Sequence, residues 1–392
     1  MIPADSRILF VTPSLGGGGA ERQLLHIANG AATAGHETAV FSFRPGGSYA
    51  TQLDSRVTQF YPERTVASSL KGTILGLKWL KRCIQNYNPT LIVTFLNHMS
   101  IAAWWLTKTK PTCKRIIGIQ NNYEEEVRNA FGPMSSRVFT GLMKRACRAA
   151  HGIVYISEGV KQGFEKNVSI GDVPSRVIYN ITGFSKSNEL NAPAELPVLP
   201  TIIACGRLHP QKDYPTLLDG FNLLRKRLPC KLQILGTGSQ LQTLKELTRE
   251  LQIEDDVEFL GFRDNPDHYI ANSQLFVLAS RYEGFGNVIV EAMSLGVPVV
   301  STDCPYGPGE IIKDRLNGLL VPVGDAERLS DCMEQVLKNP DLANKLRSNG
   351  LVRAQDFCKG RIVPEYIQFF QQIAGNNTIL RTTSKPKDGD CV

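Results

Sequence analysis

Short apolar runs alternate with longer amphipathic segments along most of the chain. The runs are rich in β-branched residues and predict buried strands, and the segments between them predict covering helices. The predicted strands are Arg7–Thr12, Thr38–Phe43, Leu91–Thr94, Arg115–Ile119, Gly152–Ile156, Thr201–Cys205, Lys231–Leu235, Val257–Leu260, Leu275–Leu278 and Val299–Ser301. The clearest predicted helices are Ala20–Ala34, Tyr214–Leu228, Ser239–Leu251, Asn287–Leu295 and Arg361–Ile373. This alternation favours parallel sheets covered by helices, an α/β fold class.

A proline-rich break divides the alternation into two halves. Prolines lie among polar residues between 183 and 200 without periodicity, and this composition predicts a linker. The predicted parts are an N-terminal Rossmann-like, doubly wound domain over residues 1–182, the linker over 183–200, a C-terminal Rossmann-like domain over 201–358, a C-terminal helix over 359–374 that packs back on the first domain, and a disordered tail over 375–392. Doubly wound domains bind ligands at the carboxyl ends of their strands, so two of them facing each other would share an interdomain cleft.

The net charge of +7 is concentrated in the first half of the chain. Residues 1–190 contain 22 lysines and arginines against 12 acidic residues, whereas residues 191–392 contain 22 against 25. A basic domain predicts an anionic partner, although a solvated basic surface explains the same charge. No apolar run is long enough to span a membrane, and no basic motif interleaved with aromatic residues indicates a nucleic-acid partner.

The strongest chemical signal lies where a predicted strand meets a predicted helix. The connection reads Glu283-Gly284-Phe285-Gly286, and its glycines allow close approach of the backbone to a ligand. The N-terminus of the following helix suits a phosphate, and the carboxylate of Glu291 inside that helix suits sugar or ribose hydroxyls. Taken alone, a tight turn with a helix-capping glutamate explains these residues equally well.

Two cations occupy a second strand-to-helix loop. Arg207 and Lys212 lie five residues apart in CGRLHPQKDYP, ahead of a helix whose first turn contains Pro215. Paired cations at a strand end suit a diphosphate, whereas either one alone would be an ordinary exposed loop charge.

A run of four glycines follows the first predicted strand. Gly16, Gly17 and the next two glycines lie where a Rossmann phosphate turn would lie, but Glu21 occupies the position of the third glycine in GxGxxG. The run is therefore a weak dinucleotide signature. A flexible turn accounts for it, and its backbone is also able to contact a sugar or phosphate.

In their order along the chain, these motifs resemble those of the retaining glycosyltransferases of family four, which share the GT-B fold. The matching segments are GGGGAER, GRLHPQKD, EGFGNVIVEAM and GVPVVSTDCPYGPGEII. The resemblance extends to about residue 374, and its most specific part is GRL…K followed by two glutamates eight residues apart. It implies a GT-B enzyme that takes a sugar from a nucleotide diphosphate sugar.

The resemblance also implies roles for individual residues. Arg207 and Lys212 would bind the donor diphosphate and stabilise the leaving charge. Glu283 would contact the transferred sugar, and Glu291 would hold the ribose hydroxyls. The remaining donor contacts would be Gly16, Gly17, Phe262 near the base, and the backbone of Gly284, Phe285, Gly286, Asn287 and Val288. Because side-chain cations stabilise the leaving group, neither a metal nor a cofactor is expected.

One position departs from the family pattern. Many relatives have a histidine near the sugar after the strand that corresponds to Arg115–Ile119, whereas this chain has Gln120. His98 follows the preceding strand and would face the same cleft, although an ordinary strand-end histidine is the simpler interpretation. Gln120 and His98 are therefore the candidates for the acceptor or sugar side.

Within the family, the segment STDCPYGPGEI is most similar to the corresponding segment of bacterial enzymes that extend lipid-linked glycans. The expected reaction is retaining transfer of a hexose or N-acetylhexosamine from a nucleotide sugar, with UDP favoured, to a glycan acceptor in surface polysaccharide or glycoconjugate synthesis. We expect a peripheral protein on the anionic cytoplasmic face of a membrane. Two predicted helices would make the contact through Lys78, Lys81, Arg82, Lys144, Arg145 and Arg148, together with Leu77, Trp79, Leu80, Leu142 and Met143.

Two other functions remain open at this stage. A nucleotide-sugar 2-epimerase on the same fold would release an epimer without any acceptor. A non-catalytic nucleotide-sugar-binding subunit would bind the donor without turnover, although the complete set of two cations and two glutamates argues against it.

Overall fold

The chain forms two compact units in a computed structural model that describes residues 6–63, 70–110, 112–130, 132–182 and 199–375, with backbone alone at 70–74, 129, 130 and 133. Among these residues, unit 1 contains the chain up to Ile181 together with the segment from Lys359 onward, and unit 2 contains Thr182–Cys358. The predicted linker up to residue 198 and the predicted tail beyond residue 375 lie outside the described residues.

Unit 1 is built on a parallel sheet. Its described strands are β1 Arg7–Thr12, β2 Glu37–Ser42, β3 Val57–Phe60, β4 Leu91–Thr94, β5 Lys114–Ile119, β6 Gly152–Tyr155 and β7 Ser175–Val177. Its first helices are α1 Gly19–Thr33, α2 Leu70–Tyr87, α3 Asn97–Thr107, α4 Tyr123–Ala130, α5 Pro133–Arg148 and α6 Glu158–Asn167. The strand order β3-β2-β1-β4-β5-β6-β7 reverses direction between β1 and β4. Such a reversal is the switch point at which doubly wound sheets bind ligands.

Unit 2 repeats this plan with a second parallel sheet. Its described strands are β8 Thr201–Cys205, β9 Lys231–Leu235, β10 Val257–Gly261, β11 Leu275–Leu278, β12 Val299–Thr302 and β13 Leu319–Val321. Its helices are α7 Tyr214–Arg225, α8 Leu241–Glu250, α9 Pro266–Ala271, α10 Asn287–Ser294, α11 Pro308–Ile311, α12 Ala326–Lys338 and α13 Pro340–Ala354. The order β10-β9-β8-β11-β12-β13 places the switch point between β8 and β11.

The last helix, α14 (Lys359–Ala374), belongs to unit 1 although it follows unit 2 in the chain. Its apolar face is buried in the core of unit 1. The ring of Phe370 lies 6.3 Å from that of Phe10 in β1, and the ring of Tyr366 lies 6.1 Å from that of Phe95. The helix is therefore part of the structural core of unit 1.

The predicted fold class of two Rossmann-like parallel-sheet domains is confirmed. The sequence pattern gave no indication of β3, β7 and β13, which are three or four residues long and lie at sheet edges. β3 and β7 are incompletely buried and contain polar residues, so they lack the continuous apolar run that identifies a central strand. β13 is largely buried and apolar, but its Leu-Leu-Val run is only three residues long. The predicted helix over Ser239–Leu251 begins two residues later, at Leu241.

Candidate functional site

The two predicted donor motifs meet at the switch point of unit 2. β8 and β11 are paired neighbours in the sheet. Arg207 follows the end of β8, and Glu283 follows the end of β11. Because carboxyl ends of parallel strands share one edge, the fold brings these two loops together at the position where such sheets bind ligands.

The loop after β8 takes its shape from a close contact with the loop after β9. The N–H of Leu208 donates to the carbonyl of Thr237 at 2.9 Å. Gly236 has a φ of +134°, and a Cβ at this position would overlap the carbonyl oxygen of Gly206. Only glycine fits both the conformation and the close approach. The contact buries Leu208 and leaves the neighbouring Arg207 exposed.

Lys212 and Glu283 form an ion pair between the two loops. The Nζ of Lys212 lies 2.6 Å from the Oε1 of Glu283, and the hydroxyl of Ser280 donates to the same oxygen at 2.7 Å. The two side chains are only 14% and 10% exposed. A cation suited to a diphosphate and a carboxylate suited to sugar hydroxyls are thus held side by side.

An ion pair and further hydrogen bonds hold the two loops together. The guanidinium of Arg281 lies 3.0 Å from the carboxylate of the buried Asp213. The amide of Gln211 donates to the carbonyl of Tyr282 at 3.0 Å, and the N–H of Arg281 donates to the carbonyl of Gln211 at 2.8 Å. These residues were missed by the sequence analysis, because their roles depend on contacts across about 70 residues that no local pattern displays.

A third loop supports the backbone of Glu283. The N–H of Glu283 donates to the carbonyl of Pro305 at 2.9 Å, and the carbonyl of Glu283 accepts from the N–H of Tyr306 at 2.9 Å. The segment CPYGPG contributed to the family resemblance, and in the structure it holds the backbone of Glu283. Ser280, three residues before Glu283 at the end of β11, was a second signal that the sequence analysis did not use.

The turn that leads into α10 is shaped by a glycine. Gly286 is the N-cap with a φ of +95°, a left-handed conformation that favours glycine. The side chain of Phe285 is buried, with its ring 5.2 Å from that of Phe357, so only its backbone is available to a ligand. Gly284, Asn287 and Val288 are half-buried around this turn.

The other predicted donor residues lie on the same unit. Phe262 directly follows β10 and is 73% exposed. Glu291 lies on the second turn of α10 and is half-buried. Arg207, Glu283 and Phe262 follow the carboxyl ends of β8, β11 and β10, which belong to one parallel sheet. In that sheet β9 lies between β8 and β10.

Burial changes the acidity of two groups near the ion pair. Burial and the charge of Glu283 raise the pKa of the Cys304 thiol to about 12, so this cysteine stays protonated. Burial also raises the pKa of Tyr214, whose hydroxyl donates to the carbonyl of Gly206 at 3.1 Å. Within the described ranges, no group of three or more His, Cys, Asp or Glu side chains is arranged to hold a metal ion.

The glycine run of unit 1 lies at the carboxyl end of β1, next to the unit 1 switch point. Gly16 and Gly17 are exposed. Glu21 holds the loop, because one carboxylate oxygen accepts from Ser14 Oγ at 2.6 Å and the other accepts from the N–H of Gly18. Glu21 therefore caps α1 with its own loop, a role that explains a glutamate where a dinucleotide fingerprint would have glycine.

The two acceptor-side candidates follow neighbouring strands. His98 is the second residue of α3, after β4, and its side chain is exposed. Gln120 directly follows β5 and is buried. Thr94 in β4 pairs with Ile117 in β5, so both candidates lie at the same sheet edge.

All six predicted membrane-contacting cations of unit 1 are exposed, but two of the apolar residues assigned to the same surface are not. Leu80 and Met143 are fully buried in unit 1, so neither is able to contact a membrane. Their helices are amphipathic, and these two residues lie on the core-facing side. Large exposed apolar side chains of unit 1 occur at Leu75 on α2, at Trp105 on α3, and at Met134 and Val138 on α5.

Two protein-family models match consecutive parts of the chain. Glycosyltransferase Family 4 matches residues 17–182, and Glycosyl transferases group 1 matches residues 188–353. The chain belongs to the family-four glycosyltransferases. The glycosyltransferase assignment and the GT-B fold expected from the motifs are therefore confirmed.

Individual relatives agree with this assignment. The chain is 27% identical over 317 residues to a Campylobacter jejuni enzyme named N-acetylgalactosamine-N,N'-diacetylbacillosaminyl-diphospho-undecaprenol 4-alpha-N-acetylgalactosaminyltransferase, covering 78% of this chain and 83% of that enzyme. Sucrose-phosphate synthase from Thermosynechococcus elongatus has a similar structure, with a TM-score of 0.79, 20% identity and coverage of 94% and 99%. Anabaena HepE, solved with UDP-glucose, has a TM-score of 0.77 at 22% identity, with coverage of 93% and 99%. At these identities the two structures show the fold alone. Within the described residues, no helix is long and apolar enough to cross a membrane.

Proposed function

We propose that this glycosyltransferase transfers a hexose or N-acetylhexosamine from a UDP-sugar to a hydroxyl of a lipid-linked glycan, with retention of anomeric configuration. The observation that carries the proposal is the Lys212–Glu283 pair at the unit 2 switch point, beside the exposed Arg207. This arrangement combines charges for a diphosphate with a carboxylate for hydroxyl groups, the two features that define a nucleotide sugar.

The donor is bound in three parts under this proposal. Arg207, Lys212 and the first turn of α10 bind the diphosphate, because cations and the N-terminus of a helix both favour anions. The second oxygen of Glu283 accepts from a hydroxyl of the transferred sugar. Glu291 accepts from the ribose hydroxyls, and the exposed ring of Phe262 lies near the base.

Transfer with retention needs no protein nucleophile. The bond between the anomeric carbon and the diphosphate oxygen breaks, and the acceptor hydroxyl attacks the same face of the sugar. The acceptor oxygen forms the new bond, and its proton passes to an oxygen of the leaving diphosphate. Arg207 and Lys212 stabilise the charge on that diphosphate, and the loss of one such contact typically costs about 3 kcal/mol.

UDP is the favoured nucleotide because HepE, which has the same fold, was solved with UDP-glucose. A lipid-linked acceptor is favoured because the Campylobacter relative is named for an undecaprenyl diphosphate substrate. The exposed cations and apolar side chains of unit 1 suit the anionic cytoplasmic face of a membrane, where such an acceptor is found.

No divalent metal is required under this proposal, because Arg207 and Lys212 supply the positive charge that an ion would otherwise supply. We expect transfer to proceed at nearly the full rate in EDTA. A strict requirement for added magnesium or manganese would contradict this part of the proposal.

A donor screen tests the proposal. UDP-, GDP- and ADP-sugars are added to the protein, and the shift in thermal unfolding is measured, because a ligand that binds the native state raises the unfolding temperature. The stabilising donor is then incubated with prenyl diphosphate glycans, and the product linkage is determined by NMR. Stabilisation by a UDP-sugar and an α-linked product from an α-linked donor are expected.

Three outcomes of this screen would contradict the proposal. Inversion at the anomeric carbon would exclude the retaining mechanism. Release of a 2-epimer without an acceptor, or donor binding without any turnover, would identify the protein as an epimerase or as a non-catalytic binding subunit.

A further inference from the structure

A single arginine of unit 2 joins the short helix α11 to the long helix α13. Arg353, on α13, donates from Nη2 to the carbonyl of Glu310 at 2.6 Å and from Nε to the carbonyl of Ile311 at 3.1 Å. These two carbonyls end α11, and the last carbonyls of a helix lack partners within the helix itself. The planar guanidinium is suited to holding both at once, so Arg353 fixes the position of α11.

The N-terminal side of α11 packs directly on the backbone that carries Glu283. Gly307, the N-cap of α11, approaches so closely that a Cβ there would overlap the carbonyl oxygen of Phe285. The two residues before it, Pro305 and Tyr306, pair with the backbone of Glu283. Because closely packed groups transmit displacements, a shift of α11 would move the backbone of Glu283 and Phe285 as well.

The same guanidinium also reaches this turn through two aromatic rings. The Cζ of Arg353 lies 4.6 Å from the ring centroid of Phe357, and that ring lies 5.2 Å from the ring of Phe285 at an interplanar angle of 70°. Both rings are fully buried, and stacking of a cation on a ring and edge-to-face packing of two rings are both favourable. The N–H of Thr182 donates to the carbonyl of Phe357 at 3.0 Å and holds its backbone.

A carboxylate fixes the orientation of the guanidinium. The Nη1 of Arg353 lies 2.9 Å from the Oδ2 of Asp356, so all three guanidinium nitrogens form hydrogen bonds. The side chain of Arg353 is 23% exposed, whereas that of Arg281, which ties the two donor-site loops together, is 62% exposed. Arg353 is therefore held in one orientation, unlike an ordinary solvated arginine.

We propose that Arg353 is a positioning residue for the sugar of the donor. Through α11 and through Phe357 it holds the turn from Glu283 to Phe285 where the Glu283 carboxylate meets a sugar hydroxyl. The inference rests on the proposed function, which assigns that sugar contact to Glu283. Misplacement of a reacting or binding group by about 1 Å is enough to slow a reaction about a hundredfold, so such support matters for transfer.

Two conservative variants of the full chain test the role. Arg353→Lys keeps the charge but loses the planar fork that bonds two carbonyls and stacks on a ring. Phe357→Leu keeps a buried apolar side chain but removes the ring between Arg353 and Phe285. Arg225→Lys is the matched control, because Arg225 is also a half-buried arginine of unit 2, and its Nε lies 2.6 Å from the Oδ2 of Asp256 at the start of β10, the opposite end of the sheet from the donor loops.

The readout is the ratio of two affinities. Calorimetry gives the affinity of each protein for UDP and for UDP-glucose, UDP-galactose, UDP-N-acetylglucosamine and UDP-N-acetylgalactosamine. Both kinds of ligand bind the folded protein, so the ratio of UDP-sugar affinity to UDP affinity does not depend on how stable a variant is. A role confined to stability would leave this ratio unchanged. Thermal unfolding of each variant is followed in parallel.

For the UDP-sugar that the wild type binds most tightly, we expect the ratio to fall at least about fivefold in Arg353→Lys and Phe357→Leu, and to stay the same in Arg225→Lys. The UDP part keeps its proposed contacts with Arg207 and Glu291, so the sugar contact bears most of the loss.

Equal ratios in all four proteins, or an equal fall in Arg225→Lys, would overturn the inference. A wild type that binds UDP but none of the UDP-sugars would overturn it too, because Glu283 would then have no sugar contact to support. Failure of the proposed function is a different result, since the wild type would then bind neither UDP nor any UDP-sugar, and the inference would fall with it.

Discussion

At the scale of single residues, the Lys212–Glu283 pair lies at the proposed donor site and also bears on stability. Both side chains are largely buried, and Ser280 donates to the shared oxygen of Glu283. Removal of one member of a buried ion pair leaves the other charge uncompensated, which typically costs about 3–5 kcal/mol. Substitutions here are therefore expected to affect folding as well as transfer, which the sequence alone did not indicate.

Lys212→Ala should lower kcat/KM for transfer at least about a hundredfold, because one preorganised contact to the leaving diphosphate is lost. It should also lower the free energy of unfolding, as measured in urea. The double variant Lys212→Met with Glu283→Gln should recover most of that stability and remain inactive. Near-normal turnover in folded Lys212→Ala would remove Lys212 from the site.

The sequence identified the charged candidates for the donor site, and it did not predict the contacts that hold them. Arg207, Lys212 and Glu283 were identified because loops between strands and helices have local signatures. The bond from Ser280 and the tie between Arg281 and Asp213 depend on three-dimensional proximity across the sheet edge.

At the scale of elements, α14 shows how far periodicity alone is informative. The apolar spacing predicted a helix over Arg361–Ile373, and the structure extends it to Lys359–Ala374. The short edge strands β3 and β7 had no comparable pattern because they contain polar residues, and β13 is an apolar run of only three residues. Long amphipathic elements were therefore predictable, and short edge elements were not.

Phe370→Ala should lower the free energy of unfolding by about 3–5 kcal/mol, because it removes a buried ring and leaves a cavity against Phe10. Denaturant unfolding of the purified variant measures this loss. Gln372→Ala, at an exposed position of the same helix, should change it by less than about 0.5 kcal/mol. Equal effects at the two positions would contradict the packing of α14 in unit 1.

The contact region of α1 and α14 should make stability depend on pH. Burial, assisted by the charges of Arg22 and Lys359, lowers the pKa of His26 from 6.5 to about 4. The folded protein therefore favours neutral His26, whereas the unfolded chain binds a proton below pH 6.5. This contribution to stability is complete above pH 6.5 and is lost as the pH falls towards 4.

Unfolding of the wild type and His26→Gln between pH 7 and 4 measures the effect. The free energy of unfolding should decline less steeply with acidification in the variant. Part of the slope should remain, because the pKa of His151 is also lowered to about 4 by burial and by the nearby Arg115 and Lys114. Identical slopes in both proteins would show that His26 is not held in its neutral form by the fold.

At the scale of the whole molecule, the chain combines a basic first half with a mildly acidic second half. The structure changes which surface of unit 1 best suits a membrane. On α2 the cations are exposed, Leu75 is only 38% exposed, and the guanidinium of Arg82 lies 5.3 Å from the Trp79 ring centroid. On α5 the exposed cations share their helix with the exposed Met134 and Val138.

The protein should bind anionic liposomes, bind neutral ones weakly, and be released by high salt, because each surface cation contributes about 1 kcal/mol that salt screens. Replacement of Lys144, Arg145 and Arg148 by Glu should remove most of this binding in a flotation assay. The matched replacement of Lys78, Lys81 and Arg82 should remove less of it, and neither should change nucleotide affinity. Equal binding to neutral and anionic vesicles, or to neither, would favour a soluble acceptor.

Calorimetric titration of UDP into the wild type, Arg207→Ala and Arg249→Ala, with EDTA present, tests the central claim most directly. Arg207 and Arg249 are both exposed arginines of unit 2, but only Arg207 lies at the switch point. The donor-site account expects UDP to bind the wild type and Arg249→Ala equally, and to bind Arg207→Ala at least about tenfold more weakly. Absence of UDP binding to the wild type, or equal binding to all three proteins, would contradict it.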